Sequence, residues 1–364
     1  METKTVARRA LVWDPYLDTL GGGERYALSV ARFLADAGYH TVLVWSDKNI
    51  MAEAQRRFGL KLDDISLDTE HFNLLFHKSP LGERKKFMRT FEIIFWVSDG
   101  SIPTLFGKTN LLHYQVPFKH INGSRISNWL KLRRVKTVVV NSRFTQKIIS
   151  RSLHSRKSLV LYPPVELITA DDVKHKQPVI LNVGRFVSPS HPKRQDVLID
   201  AFRILVANKP AQNWRLILAG GHRGDHASLS VLKLAARDLP VEFAVNPNFA
   251  ALQQLYRQAS IYWHAAGFEV DESKHPEAVE HFGITTVEAM SAQAVPVVIN
   301  KGGQREIVTP ASGILCNSVA DLVASTLDLI SQPQKLSQLA AGARVRAQDF
   351  SQAVFAAKFL EIVK

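Results

Sequence analysis

Residues 10–45 read ALVWDPYLDTLGGGERYALSVARFLADAGYHTVLVW. The apolar run at 10–13 predicts a strand and the glycines at 21–23 a turn into a helix, along which Tyr26, Val30, Phe33 and Leu34 recur at the spacing of one helical face. The helix ends at Gly38 and a second strand follows. Strand, helix and strand in this order make a βαβ unit. Apolar runs at 92–97, 110–114, 136–140 and 158–162 continue the alternation. A mostly parallel sheet, covered by helices on both faces, is the expected result.

A second series of the same kind begins with PVILNVGRF at 178–186 and runs through WRLILAGG (214–221), PVEFAV (240–245), NFAALQQLYRQA (248–259), SIYWHAA (260–266) and VPVVIN (295–300). Between the two series, residues 166–177 are polar and poorly patterned, and Pro163 and Pro164 stiffen the approach to them. The 364 residues therefore divide into a domain at 1–165 and another at 166–349, in keeping with the two domains expected at roughly 150 residues each. A terminal helix at 350–364 carries Val354, Phe355, Phe359, Leu360 and Val363, and is expected to pack back on the first domain.

Hydrophobic residues are 46% and charged residues 22% of the chain, which suits a globular core rather than disorder. The single cysteine, Cys316, rules out an internal disulfide and fits a reducing, cytoplasmic setting. No stretch approaches the ~20 apolar residues that span a bilayer, and the first residues lack the apolar core of a signal peptide. The net charge of +13 is unevenly spread: residues 1–170 hold 26 Lys and Arg against 15 Asp and Glu, and residues 171–364 hold 20 against 18. Within 77–157 there are 17 basic residues and three acidic ones, Glu83, Glu92 and Asp99. That belt must meet anions or tolerate self-repulsion.

Three stretches carry candidate chemistry. In EHFGITTVEAM (280–290) Gly283 opens a helix, leaving Glu280 just before it and Glu288 inside it, eight positions away. A surface pair would use the i,i+4 spacing, whereas a helix N-terminus suits phosphate or a sugar hydroxyl. The alternative is a capping carboxylate and an exposed helical glutamate. In VGRFVSPSHPKRQ (183–195) Arg185 follows a strand and Lys193 precedes a helix across a proline-bearing loop. Two cations at the carboxyl edge of a sheet make a diphosphate site, or else a pair of solvated basic residues. The N-terminal GGGER lacks the GxGxxG spacing of a dinucleotide fingerprint, and His113 in LLHYQVPF ends a strand, facing a ligand or buried structurally.

Taken together, GGGERYALSVARFL, NSRFTQKII, LYPPVE, NVGRF with Lys193, LILAGG, EHFGITTVEAM and VPVVINKGGQREIV resemble the retaining glycosyltransferases of family 4. The resemblance covers most of the chain and implies the GT-B architecture, two facing Rossmann-like doubly wound domains with a cleft between them. It implies that Glu280 contacts donor-sugar hydroxyls, Glu288 the ribose, and Arg185 and Lys193 the diphosphate, aided by the backbone N–H groups of Phe282, Gly283 and Ile284. Val245 and Asn246 would flank the base. Gly21 and Gly22 would lie near the phosphates and acceptor, and His113 near the transferred sugar. The chain departs from the pattern at Ala294, where glycine is common, and in the long link HAAGFEVDESKHPEAV (264–279) into the glutamate motif.

The implied reaction is transfer of a hexosyl unit, best matched by mannose from GDP-mannose, to a lipid-linked or cell-surface glycan. A UDP-hexose donor is the alternative within the fold. The leaving diphosphate would take the acceptor's proton, with no cofactor and no metal. The basic belt predicts peripheral attachment to an anionic membrane at its cytoplasmic face through residues 77–136, with Trp129 and Leu130 beside Lys131, Arg133 and Arg134. No nucleic-acid partner is expected. A polyanion- or RNA-binding protein would need exposed aromatics among Phe87, Phe91, Phe95, Trp96 and Trp129, several of which read as core.

Overall fold

The computed structural model describes residues 8–77, 79–121, 123–153, 158–169, 176–186, 192–222, 224 and 226–363. The proline-bearing loop at 187–191, and 170–175 of the polar junction, lie outside the described residues. The chain divides into two compact units, one of Met1–Pro164 with Phe355–Lys364 and one of Val165–Val354.

In the first unit the strands are β1 (Arg9–Trp13), β2 (His40–Val44), β3 (Ser66–Asp68), β4 (Ile93–Val97), β5 (Thr109–Tyr114), β6 (Thr137–Val140) and β7 (Ser158–Val160). They form one parallel sheet in the order β3-β2-β1-β4-β5-β6-β7. Its helices are α1 (Gly22–Asp36), α2 (Ile50–Phe58), α3 (Phe72–Phe76), α4 (Leu81–Met88), α5 (Ile126–Leu132) and α6 (Arg143–Leu153). Leu28 of α1 and Ile50 of α2 pack with Val12, Leu43 and Phe95 on one face of the sheet. Leu75, Met88, Leu132 and Ile149 of α3–α6 pack with Leu11, Trp96 and Leu112 on the other. Both faces of the sheet are buried, which is why its central strands read as unbroken apolar runs.

The second unit contains α7 (Gln195–Val206), α8 (His226–Ala235), α9 (Phe249–Gln258), α10 (Ile284–Ser291), α11 (Gln304–Ile307), α12 (Val319–Ser331) and α13 (Pro333–Ala347). Strands β8 (Gln177–Val183), β9 (Arg215–Gly220), β10 (Val241–Val245), β11 (Ala259–His264), β12 (Val295–Ile299) and β13 (Ile314–Cys316) pair in parallel in the order β10-β9-β8-β11-β12-β13.

The last helix, α14 (Gln352–Val363), places Phe355, Phe359 and Ile362 in the core of the first unit. Phe355 stands edge-on to Tyr26 at 5.4 Å. The helical phase differs from the sequence expectation at one point: Ile362 is buried and Leu360 is exposed. Burial of each phenylalanine contributes roughly 1.5–3 kcal/mol. Among the described residues no helix is long and apolar enough to cross a membrane.

Candidate functional site

A doubly wound sheet binds ligands where its strand order reverses, because the connections leave opposite faces there and open a crevice at the carboxyl ends. In the second unit this point falls between β8 and β11. Gly184 and Arg185 follow β8, His264 ends β11, Lys193 lies just before α7, and Glu280 just before α10. The fold brings Lys193 and His264 together at the Glu280 carboxylate. Lys193 Nζ donates to Glu280 Oε2 at 2.7 Å, and His264 Nε2 lies 2.9 Å from the same oxygen. The Lys193 and Glu280 side chains are each 15% exposed. A pair this well shielded loses much of its hydration, so removing one partner leaves a poorly solvated charge.

The backbone around Glu280 is held as firmly as its side chain. Gly303 N donates to Glu280 O at 2.7 Å. Gly302 has φ +55, and a Cβ there would lie 2.1 Å from Glu280 O, so only glycine fits. At the start of α10, Gly283 adopts φ +118, and Gln304 Nε2 reaches across to Thr286 Oγ1 at 3.0 Å. Thr286 N and Val287 N both donate to Gly283 O, at 3.0 and 3.2 Å, and the N–H groups ahead of them stand at the positive end of the helix dipole.

Glu288, expected to contact the ribose or else to be an exposed helical glutamate, is only 3% exposed. Tyr256 of α9 donates its hydroxyl to Glu288 Oε2 at 2.7 Å. Arg185 is half-buried, its carbonyl accepts from Gln195 Nε2 at 3.2 Å, and its guanidinium forms no ion pair among the described residues. Asn246, after Val245 at the end of β10, spends its amide on the neighbouring loop: Oδ1 accepts from His222 N at 2.8 Å and Nδ2 donates to His222 O at 3.1 Å. Phe282 is buried with its ring edge-on to Phe350. His264 and Tyr256 were missed by the sequence reading. His264 had the signal that identified Arg185, a polar residue at the carboxyl end of an apolar strand.

In the first unit, Gly21 caps α1 and Gly22 begins it. Glu24 Oε2 accepts from Gly21 N at 2.5 Å and from Thr19 Oγ1 at 2.7 Å, so the helix N-terminus already holds its own carboxylate. His113 is wholly buried, its ring stacked 4.3 Å from Tyr26 and 5.4 Å from Phe95. Burial pushes its pKa down to about 3, against a smaller upward pull from the Val139 backbone. A base whose pKa falls on folding contributes stability above its unfolded value of about 6.5 and loses it as pH falls toward 3. At pH 5 the loss from this group is about 2 kcal/mol. Denaturant midpoints at pH 7.5 and 5 are expected to differ less in His113→Phe than in the parent; equal differences would contradict the buried, neutral state.

The basic belt is also partly apolar. On α5, Ile126 is 79%, Trp129 48% and Leu130 53% exposed, and the Arg133 guanidinium lies 5.0 Å from the centre of the Trp129 ring. Phe76 and Leu81, at α3 and α4, are exposed as well, beside exposed Lys85 and Lys86. Phe91, Phe95 and Trp96 are buried. Arg134 differs from its neighbours in being tied down, its Nε donating to Leu105 O at 2.7 Å and its guanidinium lying over Phe106. Among the described residues no group of three or more His, Cys, Asp or Glu side chains is arranged around a common metal position.

The region that builds this crevice can be compared with known families. Residues 166–346 match the family model for glycosyl transferases group 1. Lys193, Glu280 and His264 all lie inside that matched segment. A curated relative from Xenopus laevis, a GDP-Man:Man(3)GlcNAc(2)-PP-Dol alpha-1,2-mannosyltransferase, is 30% identical over 244 residues, 61% of this chain and 47% of its own length. An alpha-1,3/1,6-mannosyltransferase from Rhizomucor pusillus is 29% identical over 60% of this chain and 55% of its own. The chain thus spans about half the length of the curated relatives it matches. Anabaena HepE, solved with UDP and glucose, superposes with a TM-score of 0.71 at 19% identity, covering 97% of this chain and 98% of that one. With two parallel-sheet α/β units and such neighbours, the chain has the GT-B fold.

Proposed function

We propose that the protein is a retaining glycosyltransferase of family 4 that moves a mannosyl unit from GDP-mannose to a lipid-linked glycan. The observation that carries the reading is the Glu280 carboxylate held between Lys193 and His264 at the switch point, with α10 starting just after Glu280 and Arg185 just past the end of β8. Support for the sugar and acceptor comes from the relatives, whose names specify GDP-mannose and dolichol-linked or related mannosyl transfer.

In this reading the diphosphate takes Arg185, Lys193 and the first-turn N–H groups of α10, and Glu280 accepts hydrogen bonds from sugar hydroxyls. Lys193 exchanges its partner from Glu280 to phosphate as the donor enters. The bond from the anomeric carbon to the diphosphate oxygen breaks, and the acceptor oxygen bonds to that carbon on the same face. The acceptor's proton passes to the departing diphosphate, whose growing charge Arg185 and Lys193 stabilise. The reading assigns no step to a metal ion, so chelation is expected to leave turnover unchanged. Equilibrium binding of GDP-mannose, UDP-glucose and UDP-N-acetylglucosamine tests the donor: preference for a UDP-sugar would replace mannose in this account, and no binding of any donor would end it.

The acceptor's chemistry extends the proposal to a membrane surface at its cytoplasmic face. Ile126, Trp129 and Leu130 suit shallow insertion, and anionic lipid attracts nearby basic residues by about 1 kcal/mol each. Burial of Phe91, Phe95 and Trp96 removes most of the stacking platform that a single-stranded nucleic acid would need. Sedimentation with vesicles is expected to require anionic lipid and to weaken with salt. A variant with Lys85, Lys86, Arg125 and Arg133 changed to Glu is expected to remain in solution; its full retention on vesicles would overturn the docking surface.

A further inference from the structure

We infer that residues 267–279 form a strap that fixes the Lys193–Glu280 pair, and that Glu272 is a positioning residue for Glu280. The inference rests on the reading of Glu280 as the group that faces the donor sugar, and adds to it the element that holds Glu280 in place. This strap is most of the long link between β11 and the glutamate motif; Phe268 packs against the core near its start and Pro276 and Val279 are buried at its end, while residues 269–275 between them are largely exposed.

Two polar anchors add to this packing. Near its start, Arg194 Nη1 donates to Phe268 O at 3.0 Å and the guanidinium lies 5.5 Å from the centre of the Phe268 ring. Arg194 is the residue next to Lys193 and adopts φ +54, an unusual conformation for a side-chain-bearing residue. Its contact with the strap, together with its ion pair to Asp196 at 3.1 Å, holds that turn and so sets where Lys193 projects.

The second anchor is Glu272. Its Oε2 accepts from Gly302 N at 3.0 Å, and its Oε1 pairs with Arg305 Nη1 at 2.6 Å. Arg305 is itself braced, with Nε donating to Asn300 Oδ1 and Nη2 to Asn300 O, both at 2.8 Å. Burial works to raise the Glu272 pKa, but Arg305 and the Gly302 N–H outweigh it and hold the carboxyl below its usual range. The loop that Glu272 grips is the one against which the Glu280 backbone rests, through Gly303 N to Glu280 O and the close approach of Gly302. The contacts therefore close a ring: strap to Gly302, Gly302–Gly303 to Glu280, Glu280 to Lys193, and Arg194 back to the strap.

A strap that only completed the domain would affect stability and leave the pair as it is. The test uses the full chain and three variants, Glu272→Ala, Glu272→Gln and Arg305→Lys. In Glu272→Ala the Lys193 amine is expected to acylate several-fold faster in competitive labelling, because its pairing with Glu280 loosens; this readout does not depend on which reaction the protein performs. Turnover with GDP-mannose is expected to fall about tenfold to a hundredfold, the scale of a small misplacement at a reacting centre. Affinity for GDP alone, which lacks the sugar, should change far less. Glu272→Gln, which still accepts from Gly302 N, should recover part of the turnover, and Arg305→Lys should give an intermediate effect if Glu272→Ala does not fold. An unchanged Lys193 labelling rate overturns the strap even if the parent transfers mannose. Faster labelling in a parent that transfers no sugar upholds the strap and rejects the assigned reaction. Loss of thermal stability with labelling and turnover both unchanged reduces the strap to a structural link.

Discussion

Lys193→Ala is expected to lower turnover about a hundredfold, close to 3 kcal/mol of transition-state stabilisation, while donor affinity falls much less. The asymmetry follows from when the charge develops. The diphosphate gains its extra charge only as the glycosidic bond breaks, so a cation aimed at it is worth more in the transition state than in the donor complex. Lys193 has a second role in the unliganded protein, pairing with Glu280 at 2.7 Å. Its removal also leaves that carboxylate with His264 and without its cation. Arg185→Ala is expected to act in the same direction, and the double variant to lose less than the product of the two, since both cations serve one group. Steady-state kinetics decide the matter: full turnover with only a raised Michaelis constant would assign both residues to binding alone.

Glu288 has the second largest expected effect, on donor affinity. A hydrogen bond to a charged group is worth ~1.5–3 kcal/mol, so Glu288→Gln is expected to weaken GDP-mannose binding about tenfold and Glu288→Ala up to about a hundredfold. The two variants should also differ in stability. Glutamine keeps the volume and an oxygen for the Tyr256 hydroxyl, whereas alanine removes this hydrogen bond to a carboxylate, at a cost of about 1.5–3 kcal/mol. Isothermal titration beside thermal unfolding separates the two effects, and unchanged affinity in both variants would remove Glu288 from the donor site.

The parts of this architecture that were legible in the sequence are those whose signal is local. The start of α10 announces itself through Gly283 before an apolar stretch, and Arg185 through a glycine and a cation directly after a buried strand. The short edge strands β3 and β13 did not, since three residues paired on one side need no apolar run. The burial of Glu288 was also hidden. Helix α10 is buried over most of its circumference, from Thr286 to Ser291, and a glutamate in that setting gains a hydrogen bond from Tyr256, which arrives from another helix 32 positions earlier. His264 and Glu280 are 16 positions apart, and Glu272 and Arg305 are 33 apart. No periodicity encodes such pairings; the parallel sheet creates them by bringing the ends of distant strands to one edge.

The central claim is transfer of a mannosyl unit from GDP-mannose to a lipid-linked glycan by the crevice around Glu280. Its most direct test is mass spectrometry of a cell lipid extract incubated with the protein and isotopically labelled GDP-mannose, followed by assignment of the new linkage's anomeric configuration. The account predicts a labelled hexose on a lipid-linked glycan, with the α configuration of the donor retained and the product reduced about a hundredfold with Lys193→Ala at equal protein and time. A labelled product of inverted configuration, or one formed equally well by that variant, would contradict it.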